Sequence, residues 1–365
     1  MAINPSHAAA MASVGLGVLA LAGTPSPSLL AQPAVEARDS IVLEGSADEY
    51  LVYPGALVPD GAGGYLVTDF RQPRVFQYSA EGRLVMRYGA GGEGPGEWEE
   101  AQIALPHGAD HVLVLSWKPF AAQRFERNGG RFVERFPLRG FVESAAVDAD
   151  GLWITGAHYS PRSAVRRLTL GEDEAEPVVD LPEPYREGGP VGGMFNSLPF
   201  TKWADTLLVA FMPLPYLVMA HESGRELDRF EVPAVHRRET PSDPEPVIMN
   251  QRQTGTYFSI FGLFPSTIGL HRRPDGSFLL VHADLAGEDP PLHTETLWVS
   301  VIDADRRRAC PDGRVPLGPE SNPVVGFEGD RLLILEQVLG GGDAVTVLRR
   351  IAVDTDGCDW IPLRR

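Results

Sequence analysis

Cysteine is nearly absent: Cys310 and Cys358 are the only two in 365 residues. Two thiols without a matching histidine cluster do not make a zinc site, and neither stands beside a histidine in sequence, which removes the simplest thiol nucleophile. The serine counterpart is missing too, since no G-x-S-x-G elbow occurs in the chain. Basic charge is in deficit. There are 32 Lys and Arg against 49 Asp and Glu, and the net charge of −17 opposes a phosphate backbone, so nucleic acid is not expected as a partner. Helical periodicity of useful length is lacking between the apolar runs. The small-apolar run from Ala8 to Gly23 stops at 16 residues, too short for a membrane span, so no transmembrane anchor is expected. That run lies in a stretch of 32 residues without Asp, Glu, Lys or Arg. The composition predicts a secretory signal over 1–32, cleaved near Leu30-Ala31-Gln32, and hence export. It departs from the usual pattern in having Arg38 as its first basic residue, and it holds no cysteine for a lipid anchor.

What the chain does have is a repeated unit, clearest in residues 60–98. A polar turn, Asp60 to Gly64, leads into the apolar run Tyr65-Leu66-Val67-Thr68-Asp69. Arg74 to Tyr78 reads as a second strand, Ser79 to Gly82 as a tight turn and Leu84 to Tyr88 as a third strand, giving consecutive antiparallel hairpins. A glycine-rich loop, Gly89 to Gly96, follows. It lacks the Lys-Ser/Thr of a phosphate cradle and opens no helix.

The ordered set Val67-Thr68-Asp69, Arg74-Val75, Gly82 and Gly92-Glu93-Gly94-Pro95-Gly96-Glu97-Trp98 resembles the NHL-type repeat of six-bladed β-propellers. The resemblance covers roughly residues 49–140. It implies an all-β fold: four-stranded antiparallel blades closed into one ring over 33–365, because such blades cannot bury their faces alone. The next unit overlays the first at an offset of 47, with Leu66-Val67 on Leu113-Val114, Tyr78 on Phe125 and Gly82 on Gly129. Asp69 and Arg74 become Ser116 and Ala121 there. In the first unit this pair brackets a loop, where a charge-assisted hydrogen bond would close the hairpin. Later units are read from spacing, the sixth as Val324–Phe327, Arg331–Leu335, Ala344–Val353 and Trp360–Leu363. A seventh would need strands hidden in 233–258. The strand-like stretch Arg38 to Gly45 precedes the first unit and is expected to fasten the ring. Cys310 and Cys358 suggest a disulfide if neighbouring blades bring their outer strands together.

Strand alternation sorts the connections onto two faces. One carries tight turns such as Asp60-Gly61, Asp275-Gly276, Glu81-Gly82 and Asn128-Gly129. The other carries long, varied loops, which makes it the expected binding face. Candidates for ligand contact there are Trp117, Lys118 and Phe120, aromatics beside a cation, with His158 and Arg252; His236-Arg237-Arg238 and Arg252 sit in a proline-rich excursion suited to cover the channel. Asp69, Arg74, Gly94, Pro95 and Gly96 read as structural parts of the repeat.

From related propellers comes a second possibility. Some lactonases and esterases of this fold hold a divalent metal at the channel mouth with Glu, Asn and Asp, and an amidating lyase holds zinc with His. By analogy Glu100, Glu143, Asn196, Asn250 and Asn322 would hold Ca²⁺, while His107, His282 and His293 are the ones to inspect for zinc; His282, on an apolar strand, suits a hydrogen-bonded core residue. The expected role is noncatalytic recognition of a protein, peptide or glycan by a monomer that needs no cofactor. The alternative is a Ca- or Zn-dependent hydrolase or lyase.

Overall fold

A computed structural model describes residues 30–45, 50–148, 151–156, 163–172, 174–182, 198–211, 216–239, 265–286, 293–318, 322–340 and 343–365. Residues 31–365 make one compact unit. Among the described residues there are strands and turns and no helix. The first strand, β1 (Ala34–Val42), stands apart from the first blade, which is β2 (Pro54–Pro59), β3 (Tyr65–Asp69), β4 (Val75–Tyr78) and β5 (Leu84–Tyr88). Two short strands, β6 (Ala90–Gly91) and β7 (Glu97–Trp98), pair in parallel within the glycine-rich loop. The second blade is β8 (Glu100–His107), β9 (His111–Trp117), β10 (Ala121–Glu126) and β11 (Phe132–Pro137). The third is β12 (Ser144–Asp148), β13 (Gly151–Thr155), β14 (Ser163–Leu168) and β15 (Glu176–Asp180), and the fourth β16 (Phe200–Trp203), β17 (Thr206–Ala210), β18 (Tyr216–His221) and β19 (Glu226–Glu231). The fifth is β20 (Pro265–Arg272), β21 (Phe278–Ala286), β22 (His293–Asp303) and β23 (Arg308–Val315). The last is β24 (Val324–Glu328), β25 (Arg331–Gly340) and β26 (Asp343–Asp354), completed from the other end of the chain by β1. The protein is a six-bladed β-propeller.

The middle strands read as unbroken apolar runs because each is covered on both faces. Leu66 packs with Ala104, Val112 and Val114 of the second blade, while its neighbour Val67 packs with Leu333 and Leu335 of the sixth. Burying one such side chain contributes about 1.5–3 kcal/mol, so every seam between blades is a continuous source of stability. The 47-residue offset has a conformational basis at Gly82 and Gly129, whose φ of 86° and 96° only glycine adopts without strain.

The closure differs from the sequence reading in two places. The fastening strand spans Ala34–Val42 rather than Arg38–Gly45 and runs from Ala34 opposite Asp354 to Val42 opposite Val347. The terminal stretch Trp360–Leu363 does not finish the sixth blade. Since β1 already occupies that edge, the chain turns back and β27 (Ile361–Pro362) pairs with β23, as a fifth strand of the fifth blade. Cys310 lies on β23 and Cys358 in the turn before β27, and the two are joined by a disulfide with Cα atoms 6.0 Å apart. The bond therefore ties the tail to one blade's outer edge instead of linking the outer strands of two blades. The same turn holds the start of the closing strand: Asp359 N–H donates to the Ala31 carbonyl at 3.0 Å, and Ala31 N–H to the Asp359 carboxylate at 2.8 Å.

Candidate functional site

The inner strands β2, β8, β12, β16, β20 and β24 are each hydrogen-bonded on one side only, so six free strand edges surround the axis. They enclose a cavity of about 990 Å³, at the upper end of ligand-site sizes. Three of these strands carry irregularities in the half nearest the long loops: β2 between Pro54 and Leu57, β8 between Ala101 and Ile103, and β20 between Thr267 and Gly269. Bulges re-aim side chains. Ile268, inside the β20 irregularity, stays 38% exposed on the cavity wall. Glycines at 55, 269 and 326 also line it. A Cβ on Gly55 would meet the Phe70 ring at 2.7 Å and one on Gly269 the Phe327 ring at the same distance, so the tips of aromatic rings occupy the wall where it has no side chain of its own.

The two ends of the wall differ. At the long-loop mouth stand Tyr53, Glu143, Ser144, Asn322 and Gln337. Gln337 donates to the carbonyls of Leu51 at 2.7 Å and Val52 at 3.2 Å, pinning the segment ahead of β2 to the end of β25. Further in, Thr267 and His282 share a hydrogen bond of 3.2 Å. Burial, then the Arg237 charge, pushes His282 well below its ordinary pKa. At the tight-turn end His271 stacks on Phe327, centroids 5.0 Å apart and planes 8° from parallel.

Of the residues expected to bind ligand, Trp117, Lys118 and Phe120 meet the protein itself. Trp117 packs edge-on to Phe141 at 6.1 Å, and Lys118 lies 5.0 Å over the Trp117 ring while pairing with Glu99 at 3.0 Å. That exposed pair contributes little stability. Phe120 packs with the core shared by the second and third blades. His158 and Arg252 lie outside the described residues, as do Asn196 and Asn250. Glu143 and Asn322 do line one mouth, while Glu100 stands at the start of β8, its pKa raised by burial and held back by Lys118. No group of three or more His, Cys, Asp or Glu that could hold a metal occurs among the described residues.

The hairpin-closing role expected of Asp69 and Arg74 belongs to Asp69 alone. Its carboxylate, fully buried, accepts backbone N–H groups of Val52, Tyr53, Arg71 and Gln72 at 2.5, 3.0, 2.7 and 3.1 Å, while Arg74 is exposed. Four amide donors already satisfy the carboxylate, so no guanidinium is needed. Gly94 and Gly96 shape the loop that delivers Trp98 into the seam between the first two blades: Gly94 N–H donates to Glu97, Gly96 N–H to Gln123, and Trp98 meets Phe125 edge-on at 5.7 Å. Pro95 sits between them.

Sequence reasoning missed Tyr53, Phe70, Ile268 and Gln337, whose shared place on the cavity wall depends on bulges and on closure between distant segments. The apolar run Tyr50-Leu51-Val52-Tyr53 was a readable signal. It also passed over the H-x₃-H spacing of His107 and His111, which face each other across the β8–β9 turn with ring centroids 6.4 Å apart.

No family model matches the chain, and no curated protein does. Solved structures do. A DUF4221-family protein from Bacteroides vulgatus superposes with a TM-score of 0.61 at 10% identity, covering 89% of this chain and 99% of that one. An exported-protein candidate from Bacteroides fragilis gives 0.58 at 9% identity, covering 88% and 95%. The likeness is one of fold. At such identity it carries neither ligand nor chemistry to this propeller, and the NHL repeat stays a sequence resemblance.

Proposed function

We propose that this propeller is an exported, noncatalytic recognition module that grips an apolar segment of a peptide or protein at its long-loop mouth. One observation carries the reading. Of eight large hydrophobic side chains exposed among the described residues, Tyr53 and Ile268 line this cavity, and Tyr50, Val52 and Val338 stand in the two segments that Gln337 joins at its rim. Exposed apolar clusters on a soluble ring mark contact surfaces. A peptide suits this one better than a glycan or lipid, because the six free strand edges offer backbone donors and acceptors beside apolar side chains. The charge-free leader, the disulfide and the likeness to an exported-protein candidate support export. Selection from a random peptide display library tests the reading. Enriched peptides should carry apolar anchors and bind the Tyr50→Ser/Tyr53→Ser/Val338→Ser protein at least ten-fold more weakly. Equal binding by that variant would remove the mouth from consideration.

A second reading keeps Glu143 and Asn322 as oxygen ligands for Ca²⁺, favoured by their position on one mouth. It predicts a rise in Tm on adding millimolar Ca²⁺, because a ligand of the native state stabilises it. An unchanged Tm, with no metal in elemental analysis, would count against it.

A further inference from the structure

The tight-turn half of the lumen differs from the mouth in chemistry. Leu57, Val58, Leu105 and Leu270 form its apolar walls, and Glu143, at the opposite end, is the one carboxylate among the described lining residues. Among the described residues its one titratable ring is His271, whose Nε2 lies 3.0 Å from the Gly329 carbonyl. A carbonyl can only accept, so Nε2 carries the proton; burial holds the ring's pKa below its ordinary value, which leaves Nδ1 as a lone-pair acceptor. The ring lies parallel to Phe327, and Phe327 in turn covers Gly269, a position where any side chain would fill the space. From Ser266 to His271 is five residues of strand, about 16 Å at the usual rise, farther than a side chain reaches from the rim.

We propose that this half of the lumen binds a free, neutral, planar aromatic molecule of the phenol class, its ring beside the edge of the His271–Phe327 stack and its O–H donated in plane to Nδ1 of His271. An apolar wall selects against charge. The parallel rings select a flat body, and the lone acceptor selects a donor over a plain hydrocarbon. The site does not depend on whether a peptide occupies the mouth.

The test compares p-cresol with toluene, nearly the same shape with and without the donor, by saturation-transfer NMR titration of the full chain. Wild-type protein should bind both, and His271→Phe, which keeps a flat ring and removes the acceptor, should lose about three- to ten-fold in p-cresol affinity with toluene unchanged. Gly269→Leu, whose side chain would take the space that Phe327 covers beside His271, should lose both probes. A His271→Phe protein that weakens the two equally makes the histidine a packing residue and overturns the proposal. So does binding that survives Gly269→Leu, or wild-type protein that binds neither. If His271→Phe does not fold, the imidazole ¹⁵N signals of wild-type protein decide. The Nδ1 resonance of His271 must move with p-cresol and stay with toluene, and any other result refutes the contact.

Discussion

Neutralising Asp312 should be among the most damaging single changes available, and more damaging than removing its partner. Asp312 is fully buried on β23, and Arg237 reaches it from the segment after β19 with an Nε–Oδ1 distance of 3.1 Å. The carboxylate also accepts the backbone N–H groups of Val235, His236 and Arg237 at 2.6, 2.8 and 3.3 Å and the Ser300 hydroxyl at 3.3 Å. Arg237 has one further acceptor, the Val232 carbonyl at 2.5 Å, and burial drives its pKa below the ordinary value while Asp312 opposes that shift. The two partners are thus unequally supported. In Asp312→Asn the amide keeps the shape and tolerates the residue's φ of 56°, but the guanidinium is left buried with only the weaker charges of Asp284 and Glu231 to offset it, at a cost of about 3–5 kcal/mol. In Arg237→Met the carboxylate keeps four hydrogen-bond donors, and the cost should be nearer 1–3 kcal/mol, as for one lost charged hydrogen bond. Unfolding the unit Ala31–Arg365 carries an entropy of about 0.7 kcal/mol/K at the usual per-residue value, so these costs correspond to Tm shifts of roughly 4–7 °C and 1–4 °C. Calorimetry with urea unfolding of both single variants and the double variant measures all three terms. The double variant should come back close to Arg237→Met. An Asp312→Asn protein within about 1 kcal/mol of wild type, or an Arg237→Met protein equally damaged, would refute the reasoning, which rests on buried charge being costlier unpaired than absent.

Acid should expose His282: the folded state keeps it neutral where the unfolded chain titrates near pH 6.5. Its contribution is complete above that pH and is lost below it by about 1.4 kcal/mol per pH unit, so urea midpoints of wild type should fall faster between pH 6 and 5 than those of His282→Gln. Parallel curves would refute this. Replacing Cys310 and Cys358 by alanine removes a cross-link spanning 48 residues, worth about 4 kcal/mol in the chain-entropy model. Hydrogen exchange should quicken in β27 and in β1, which the same turn supports, before it does in β9 or β10; uniform quickening would contradict a local latch. Gly326→Ala should cost about 1–3 kcal/mol, since its Cβ would meet the Leu57 carbonyl at 2.7 Å, whereas Gly55→Ala displaces only the Phe70 ring and should be tolerated. Equal effects on Tm would show that both walls yield alike. Trp117→Ala and Lys118→Ala should leave Tm within about 2 °C and lower the affinity of a mouth-binding peptide only if the contact extends to the second blade.

The blades were legible because their signals are local. Tyr65 to Asp69 and His111 to Trp117 announce themselves as strands without any knowledge of what covers them, and glycines of positive φ end the outer turns at a fixed offset. Boundaries and partners at the closure were not, since the choice of β1 over Trp360–Leu363 for the last edge is a competition between two chain ends. The winner, pairing with β26 from Val347 to Asp354, makes far more ladder bonds than a two-residue strand can. Asp69 was expected to close its hairpin with Arg74 and instead holds amides, for the same reason: those of Val52 and Tyr53 lie 17 and 16 positions away, and an apolar run does not say which carboxylate will take its backbone.

The mouth was hidden at a deeper level. Its wall is written in residues that look like ordinary strand sequence, and it becomes a site only because three inner strands slip register on the same side of the ring. A bulge costs ladder bonds, and inner strands have only one ladder to lose. Were the bulges incidental, they should scatter along the inner strands. They fall instead at Gly55-Ala56, Gln102 and Ile268, in the half nearest the long loops, and that half also keeps Tyr53 and Ile268 exposed. Glycines at 55 and 269 let the Phe70 and Phe327 rings reach the same wall. Irregular backbone, missing side chains and uncovered hydrophobic surface each cost stability on their own, and their convergence around one lumen is the physical reason to place ligand binding there.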